Sequence, residues 1–598
     1  MESAMESAMD AMESANVDIK IKIISDKIRV LCKNCKRILL VNPTQIQEKD
    51  FDIELALQKR YSVFPPYGIG IINKKLKDNG YISDILDLNY EVISSTIQGK
   101  KTFRYDIWKD RLRENIENFK PDIVGITCMF TMTVSQMYIV ADFIKNINKD
   151  LVIVVGGVHP SAAAEDVLTE CKSVDFVCLY ECDSSFIDFL NFINGDAPIE
   201  KLRQLDTIYN NTYYTINNRL REIDIDTIPE YGQLPIDNYH FVGKIGAYSF
   251  LLTEDIRVST ILSNRGCRGT CTYCSVNVFY GRGVRSRSVK VIVDEMELMK
   301  NKYNISHFMW LDDDLLFNEE RAIELFNEII KRQLNITWDA SNGVVATSIT
   351  QNVIDAAYKS GCIGLHLGIE SGNPEILKAI RKPSKIEHFK MAAKILRQYP
   401  NIFTKGFLMV GFLGETIGQI LDTINLAVEL KLDWYPIQIL TVFPSTEVQK
   451  YLVKDRTIKR KDFKDKFFIG ITGGQRLREM NEKIDAKEFI NILEEDKSVI
   501  PSEDEIKDIW FIIDYKVNYE KILIEDRPIK LKMLQKMLLD ICNRVKENPL
   551  STLYLGIVEQ KLGNHNRSKE LKNIAKMHID NSINWQKRFE ILNLYKLF

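Results

Sequence analysis

No stretch of this 598-residue chain stays apolar for the length a membrane span requires, so no membrane-crossing segment is expected. Neither sign of charge dominates. Eighty Lys and Arg stand against 82 Asp and Glu, a formal net charge of -2, which argues against a chain-wide field for nucleic acid or a membrane surface. The eleven cysteines are odd in number and lack disulfide-like regularity, which points to a reducing, cytoplasmic interior. Met1 to Asn16, a degenerate repeat of Met, acidic and small residues, contains no apolar signal core. Residues 1–35 are therefore expected to be a disordered tail and lead-in. The remaining composition, 45% hydrophobic and 27% charged, is that of an ordinary soluble protein long enough for several domains.

Against this plain background one cluster stands out. Cys267, Cys271 and Cys274 form a Cys-x3-Cys-x2-Cys pattern, and no fourth cysteine completes it locally. With this cysteine content, chance alone gives the spacing roughly 0.004 times per chain. Three neighbouring thiolates suit three corners of an iron-sulfur cubane and leave one iron open, which is what separates a catalyst from an electron carrier. The alternatives are buried structural cysteines and a zinc site, which ordinarily takes four ligands. Cys32 and Cys35 also make a Cys-x2-Cys pair, but without a second pair nearby they read as incidental.

The hydrophobic pattern predicts an α/β architecture. From about residue 36 to 200 short apolar runs alternate with helical stretches, the signature of a parallel sheet. Strands are expected at Arg37 to Val41, Asp122 to Thr127, Leu151 to Val155 and Val174 to Leu179, with helices from Tyr67 and from Val134 to Ile147. Residues 201–255 read as a linker holding a small hairpin. Strand-helix alternation returns over 256–453, with six strands: Arg257 to Leu262, Phe308 to Leu311, Ile336 to Ala340, Ile363 to Leu367, Lys405 to Val410 and Pro436 to Thr441. Six such units suggest a partial barrel with its chemistry at the strand carboxyl ends. Residues 454–598 carry amphipathic helical patterns. Leu555-Gly556, Gly563, Ser568 and Ala575 match a tetratricopeptide-like spacing, for which ordinary helical packing is the preferred reading.

The cysteine motif, with Tyr273 before its last cysteine, resembles that of the radical S-adenosylmethionine (SAM) enzymes. The resemblance implies a [4Fe-4S] cluster whose open iron chelates SAM, an external electron donor such as flavodoxin or ferredoxin, and a 5′-deoxyadenosyl radical. Three later segments fit the family's cobalamin-associated branch: Asp312-Asp313-Asp314, the Glu370-Ser371 turn, and Gly411 after its strand. By resemblance all of these residues lie near SAM, whose cationic groups and ribose diol suit carboxylate and hydroxyl partners. Arg265, Arg285 and Arg287 also fit the pattern, either as charges near the cluster or as solvated arginines. Arg268 stands where many relatives carry proline, a departure expected to matter little.

Pro65-Pro66-Tyr67-Gly68, the strand ending at Thr127, and Gly156-Gly157 with Ser161 resemble the Rossmann-like cobalamin-binding domain that precedes many radical SAM domains. By resemblance Tyr67, Thr127, Gly156, Gly157 and Ser161 line the cobalamin site, small residues at Gly156-Gly157 making room for the nucleotide tail. The stretch Pro65 to Gly70 has no histidine where free-standing relatives use one, so cobalt is expected to lack a histidine lower ligand. Tyr180-Glu181-Cys182-Asp183 departs from the family's Gly-Glu-Gly-Glu-like loop. His159 reads as a cap or packing residue rather than a ligand.

The resemblance as a whole implies a methyltransferase acting on an unactivated carbon or phosphinate phosphorus of a small molecule. One SAM would methylate cobalamin and a second would supply the radical. The alternatives are ring contraction or cyclisation with the same cofactors, and a non-catalytic iron-sulfur or cobalamin sensor. No nucleic-acid partner is expected.

Overall fold

Runs of β-branched residues without a polar face, such as those at 152–155 and 123–126, belong to strands covered on both sides. The structure, a computed structural model, describes residues 19–31, 33–99, 102–454, 496–545 and 547–598. The chain divides into two units, 1–244 with 274–281 and 443–457, and 245–273 with 282–442 and 458–598.

The first unit holds a seven-stranded sheet. Its strands are β1 (Arg37–Asn42), β2 (Ile82–Asp87), β3 (Ile123–Thr127), β4 (Val152–Gly156), β5 (Phe176–Cys178), β6 (Leu205–Tyr209) and β7 (Thr212–Ile216), in the order β2-β1-β3-β4-β5-β6-β7. The first five are mutually parallel. Alternation along the strands divides the core. Ile38, Leu40, Val154 and Phe176 face one layer with Ile69 and Leu76 of the Tyr67–Asp78 helix. Leu39, Val41, Ile153 and Val177 face the other, against Leu112, Val140 and Ile144.

Three expectations are corrected here. Residues 19–31 are helical rather than tail, because Ile24 and Ile28 are buried in the core and Lys27 Nζ donates to the carbonyls of Asp175 and Ile208. The repeat at 1–16 lies outside the described residues. The hairpin β6–β7 is not linker but continues the sheet, β6 running antiparallel to β5. Pairing covers the edge of a strand only three residues long and buries Leu205 and Ile216. The sheet thus runs past residue 200 to Ile216. Strand β2 gave no clear signal because Ser83, Asp84 and Asp87 interrupt its apolar pattern.

The second unit holds six parallel strands, each beside its predecessor: β8 (Val258–Ile261), β11 (His307–Trp310), β12 (Thr337–Val344), β13 (Cys362–Glu370), β14 (Phe403–Val410) and β15 (Ile437–Ile439). A short ribbon pairs β9 (Asn264–Arg265) with β10 (Arg285–Ser286). All six predicted strands are present. The sheet stays open between β8 and β15, as expected of a partial barrel. Its free edge is covered by the Glu503–Asp514 helix, from which Trp510 Nε1 donates to the Ile437 carbonyl at 2.9 Å. The remaining helices, Pro528–Arg544, Pro549–Lys561, His565–Asp580 and Ile583–Ile591, share one apolar core. Gly556 earns its place by packing: a Cβ there would sit 3.3 Å from the Ser568 carbonyl. No described helix is long and apolar enough to cross a membrane.

Candidate functional site

Strand β8 delivers the chain into the cysteine loop, and long-range polar contacts fix that loop. Ser263 donates from its backbone N–H (2.9 Å) and its hydroxyl to Asp312, at the carboxyl end of the neighbouring strand β11. Asn264 Nδ2 reaches the carbonyls of Asp314 and Leu315, both at 3.2 Å. Gly266 takes a φ of +85°, the left-handed region that glycine enters at little cost. The loop then turns so that the thiols of Cys267 and Cys271 flank Gly269, 3.5 and 3.7 Å from where its Cβ would be. The Gly269 N–H donates to Cys267 Sγ at 3.3 Å. Cys274 follows three residues later.

Two soft donors converging on a glycine, with a backbone N–H already aimed at sulfur, suit a thiolate-held cluster. Burial, assisted by Asp314, pushes the free Cys267 thiol up to about 11, and burial likewise raises Cys271. Cluster assembly must therefore displace protons.

The three carboxylates after β11 have different jobs. Asp312 is buried and accepts from Ser263; burial pushes its pKa up to about 6 despite those bonds. Asp314 is buried and gripped by Arg268, whose Nε and Nη2 donate to it at 2.6 and 2.8 Å. Arg268 also donates to Ser348 Oγ at 2.7 Å. The arginine in place of proline therefore has a consequence after all: it neutralises Asp314 and ties the cysteine loop to strand β11. Asp313 alone has no hydrogen-bond partner among the described residues. Burial, then the charges of Asp312 and Asp314, push it up to about 7.

At the end of β13 the register shifts between Gly368 and Glu370, and Glu370 adopts a φ of +68°. Its carboxylate pairs with Lys382 Nζ at 2.8 Å. Ser371 is fully buried, its hydroxyl 3.2 Å from that of Thr423 and accepting from the Asn373 N–H. It docks the turn onto the Ile417–Leu430 helix, leaving Glu370 as the charged group of that motif. Gly411 has a φ of +81°, and its N–H donates to Glu415, whose pKa burial pushes up to about 7. Arg265 and Arg287 are not solvated: both are buried, and Arg287 pairs with Glu295 at 2.7 Å.

Motif reading missed Lys382. It lies on a strap, Ile380 to Pro383, that crosses the cysteine loop: the Thr272 N–H donates to the Ile380 carbonyl at 3.1 Å. Burial opposes the Lys382 charge, but Glu370 and the Cys271 thiol outweigh it and raise its pKa.

In the first unit, Thr127 and Gly156 are register partners at the carboxyl ends of β3 and β4. Gly157 has a φ of +111°, and its Cβ would lie 2.6 Å from the Cys128 carbonyl oxygen. Its glycine is thus required by the backbone, independently of any ligand, whereas a Cβ at Gly156 would make only ordinary contacts of 3.5 Å or more. Ser161 Oγ donates to the Gly157 carbonyl and accepts from the Tyr180 N–H, both at 2.7 Å. Tyr180 and Cys182 themselves sit at φ +62° and +46°. The departure from Gly-x-Gly therefore keeps the backbone conformation that glycines favour. Tyr67 begins its helix and is buried. His159 is buried, with Nδ1 3.1 Å from Thr131 Oγ1, in keeping with a packing role. Bare backbone at Gly156 among strand carboxyl ends fits the tail of a large cofactor.

An open six-stranded parallel sheet led into by a three-cysteine loop, with a separate Rossmann-like sheet ahead of it, defines a class. Residues 53–190 match the B12 binding domain model and residues 261–427 the Radical SAM superfamily model. The chain thus joins a B12 binding domain to a radical SAM domain. It is 28% identical over 345 residues to an uncharacterized methyltransferase of Pyrococcus horikoshii, covering 57% of this chain and 72% of that one. It is 25% identical over 398 residues to the cytidylyl-2-hydroxyethylphosphonate methyltransferase of Streptomyces wedmorensis, covering 61% and 73%. Among solved structures it resembles the cobalamin-dependent SAM radical enzyme OxsB with aqua-cobalamin bound, with TM-score 0.59, 14% identity and coverage of 92% and 84%. It also resembles the radical SAM methyltransferase TsrM of Kitasatospora setae with cobalamin and a [4Fe-4S] cluster bound, with TM-score 0.55, 16% identity and coverage of 71% and 75%.

Proposed function

We propose that this chain is a cobalamin-dependent radical SAM methyltransferase acting on an unactivated carbon or phosphinate phosphorus of a small molecule, with electrons from a flavodoxin- or ferredoxin-like donor. The observation that carries the reading is the joint presence of the three-cysteine barrel loop and a B12 binding domain in one chain. Methyltransferases among its relatives support the transfer of a methyl group. When bound, the [4Fe-4S] cluster supplies the electron that cleaves SAM, and cobalamin supplies the methyl group.

The chain's own residues do the rest. Cys267, Cys271 and Cys274 would hold the cluster through their thiolates. Ser263 and Arg268 occupy Asp312 and Asp314, which braces the loop and leaves Asp313 as the carboxylate available to the cationic end of SAM. Gly156 and Thr127, at the ends of their strands, and Tyr67, at the start of its helix, would line the cobalamin site. After anaerobic reconstitution, mass analysis of SAM products should show both S-adenosylhomocysteine and 5′-deoxyadenosine. 5′-Deoxyadenosine alone would instead favour ring contraction or cyclisation, and neither product would favour a sensor.

Asp313 gives a sharper expectation. Losing one charge-assisted contact worth about 1.5–3 kcal/mol, Asp313→Asn should bind SAM roughly 10- to 100-fold more weakly. Because the folded pKa lies at about 7, above the ordinary 3.8, the ionised form appears as pH rises through about 7. SAM affinity should rise over that interval in the parent and not in the variant. The same shift means that the folded state holds the proton more tightly than the unfolded chain, so ionisation costs stability as pH rises. Without SAM, the variant should gain ~1–2 kcal/mol above about pH 7, a figure discounted for the partial exposure of the group. Isothermal titration and thermal unfolding check both signs; unchanged SAM affinity would remove Asp313 from the site.

A further inference from the structure

The buried lysine on the strap has no part in the motif reading, yet the strap that carries it packs directly on the cysteine loop. Its Nζ lies 2.8 Å from Glu370 Oε1, with the two side chains only 9% and 11% exposed. The strap that carries it is held against the loop at three points. The Thr272 N–H meets the Ile380 carbonyl, Cys271 Sγ lies 4.0 Å from the Arg381 carbonyl, and Pro383 Cγ lies 3.6 Å from the Cβ position of Gly269. Arg381 takes a φ of +56° to make this crossing, and Lys382 N–H is pinned to the Leu377 carbonyl at 2.9 Å. Gly368 leaves room for the ammonium, since a Cβ there would sit 2.9 Å from Nζ.

A mere surface tether would not need a buried charge. Burying an ammonium is costly unless negative groups compensate it. Glu370 compensates one charge, and the thiolates of a loaded cluster would add more on the same side. Arg268, the cation within the loop itself, is already bound to Asp314.

We propose that Lys382 is an electrostatic positioning residue for the cluster, its ammonium stabilising the reduced state, with Glu370 setting how much of that charge the cluster feels. This rests on the assignment of Cys267, Cys271 and Cys274 as the cluster ligands. Reduction adds one electron, and no proton, to a centre already made negative by its thiolates. A fixed cation nearby raises its potential, and a fixed anion lowers it.

The test is a potentiometric titration of the reconstituted full-length protein, followed by electron paramagnetic resonance of the reduced cluster. SAM is left out, so that no contact between Lys382 and SAM contributes. Iron and sulfide content are measured first. Lys382→Met should carry a full cluster whose reduced fraction at fixed potential falls at least tenfold, a downward shift of about 59 mV for one electron. Lys382→Arg should recover most of that shift. Glu370→Gln should move the potential upward. A purely structural strap has no reason to give opposite signs in the two partners, so it serves as the rival. A fully loaded Lys382→Met protein with the parent potential overturns the proposal. Should Lys382→Met fail to assemble a cluster, Glu370→Gln decides: an unchanged or lowered potential there overturns it as well. Failure of the ligand assignment would look different, since the parent would then show no [4Fe-4S] signal or Cys271→Ala would retain it.

Discussion

Alanine at Cys271 is expected to abolish the cluster and reductive SAM cleavage together, with 5′-deoxyadenosine falling to assay background. Two thiolates cannot hold a cubane against loss of iron, and no other cysteine lies within the loop to substitute. The same outcome is expected for Cys267→Ala and Cys274→Ala. Cys35→Ala is the control. That residue is buried in the core of the sheet of the first unit, so its replacement should cost stability of about 1 kcal/mol while iron content and SAM cleavage stay at parent levels. Iron and sulfide analysis with product quantification reads both. Undiminished SAM cleavage by Cys271→Ala would end the assignment.

The second large effect is expected at Gly156-Gly157, and the two glycines should behave differently. Any side chain at Gly157 meets the Cys128 carbonyl and requires a φ of +111°. Gly157→Ala should therefore destabilise its domain by roughly 2–5 kcal/mol, combining left-handed strain with overpacking, before any cofactor is added. Tryptophan there would be worse and uninformative about cobalamin. Gly156→Ala meets only ordinary contacts, so the apo domain should melt within about 1 kcal/mol of the parent. A methyl group in the path of the nucleotide tail should nevertheless cost about 1–3 kcal/mol of binding, roughly five- to hundredfold in cobalamin affinity by visible absorption titration. Parent-like cobalamin affinity in a well-folded Gly156→Ala protein would place the tail elsewhere. Parent-like melting of Gly157→Ala would contradict the backbone argument.

Much of the architecture was legible because it is written in short-range patterns. All six strands of the open barrel and the Val134–Ile147 helix were readable from apolar runs and their stops. The readings that needed correction involved pairing at a distance. Strand β2 is an edge strand with polar interruptions, and the β6–β7 hairpin looked like linker until its partner β5 was known. The helix at 19–31 is held by Lys27 reaching groups 148 to 181 residues away.

The same division runs through the candidate site. Spacing within eight residues was enough to single out the three cysteines, because neighbours in the chain that can share one cluster need no folding to be recognised. The acidic triplet was visible too, but the roles within it were not. Asp312 is taken by Ser263, 49 residues earlier, and Asp314 by Arg268, 46 residues earlier; only those contacts single out Asp313. Lys382 belongs to no motif, and only the fold, through a strap that turns at the left-handed Arg381, lays it beside Glu370 and against the cysteine loop. Local spacing and periodicity thus determined the fold class and singled out the candidate cluster cysteines. Which buried charges are spent on one another and which remain for chemistry was decided by tertiary contacts, since desolvation and Coulomb pairing depend on distance in space and not on separation along the chain.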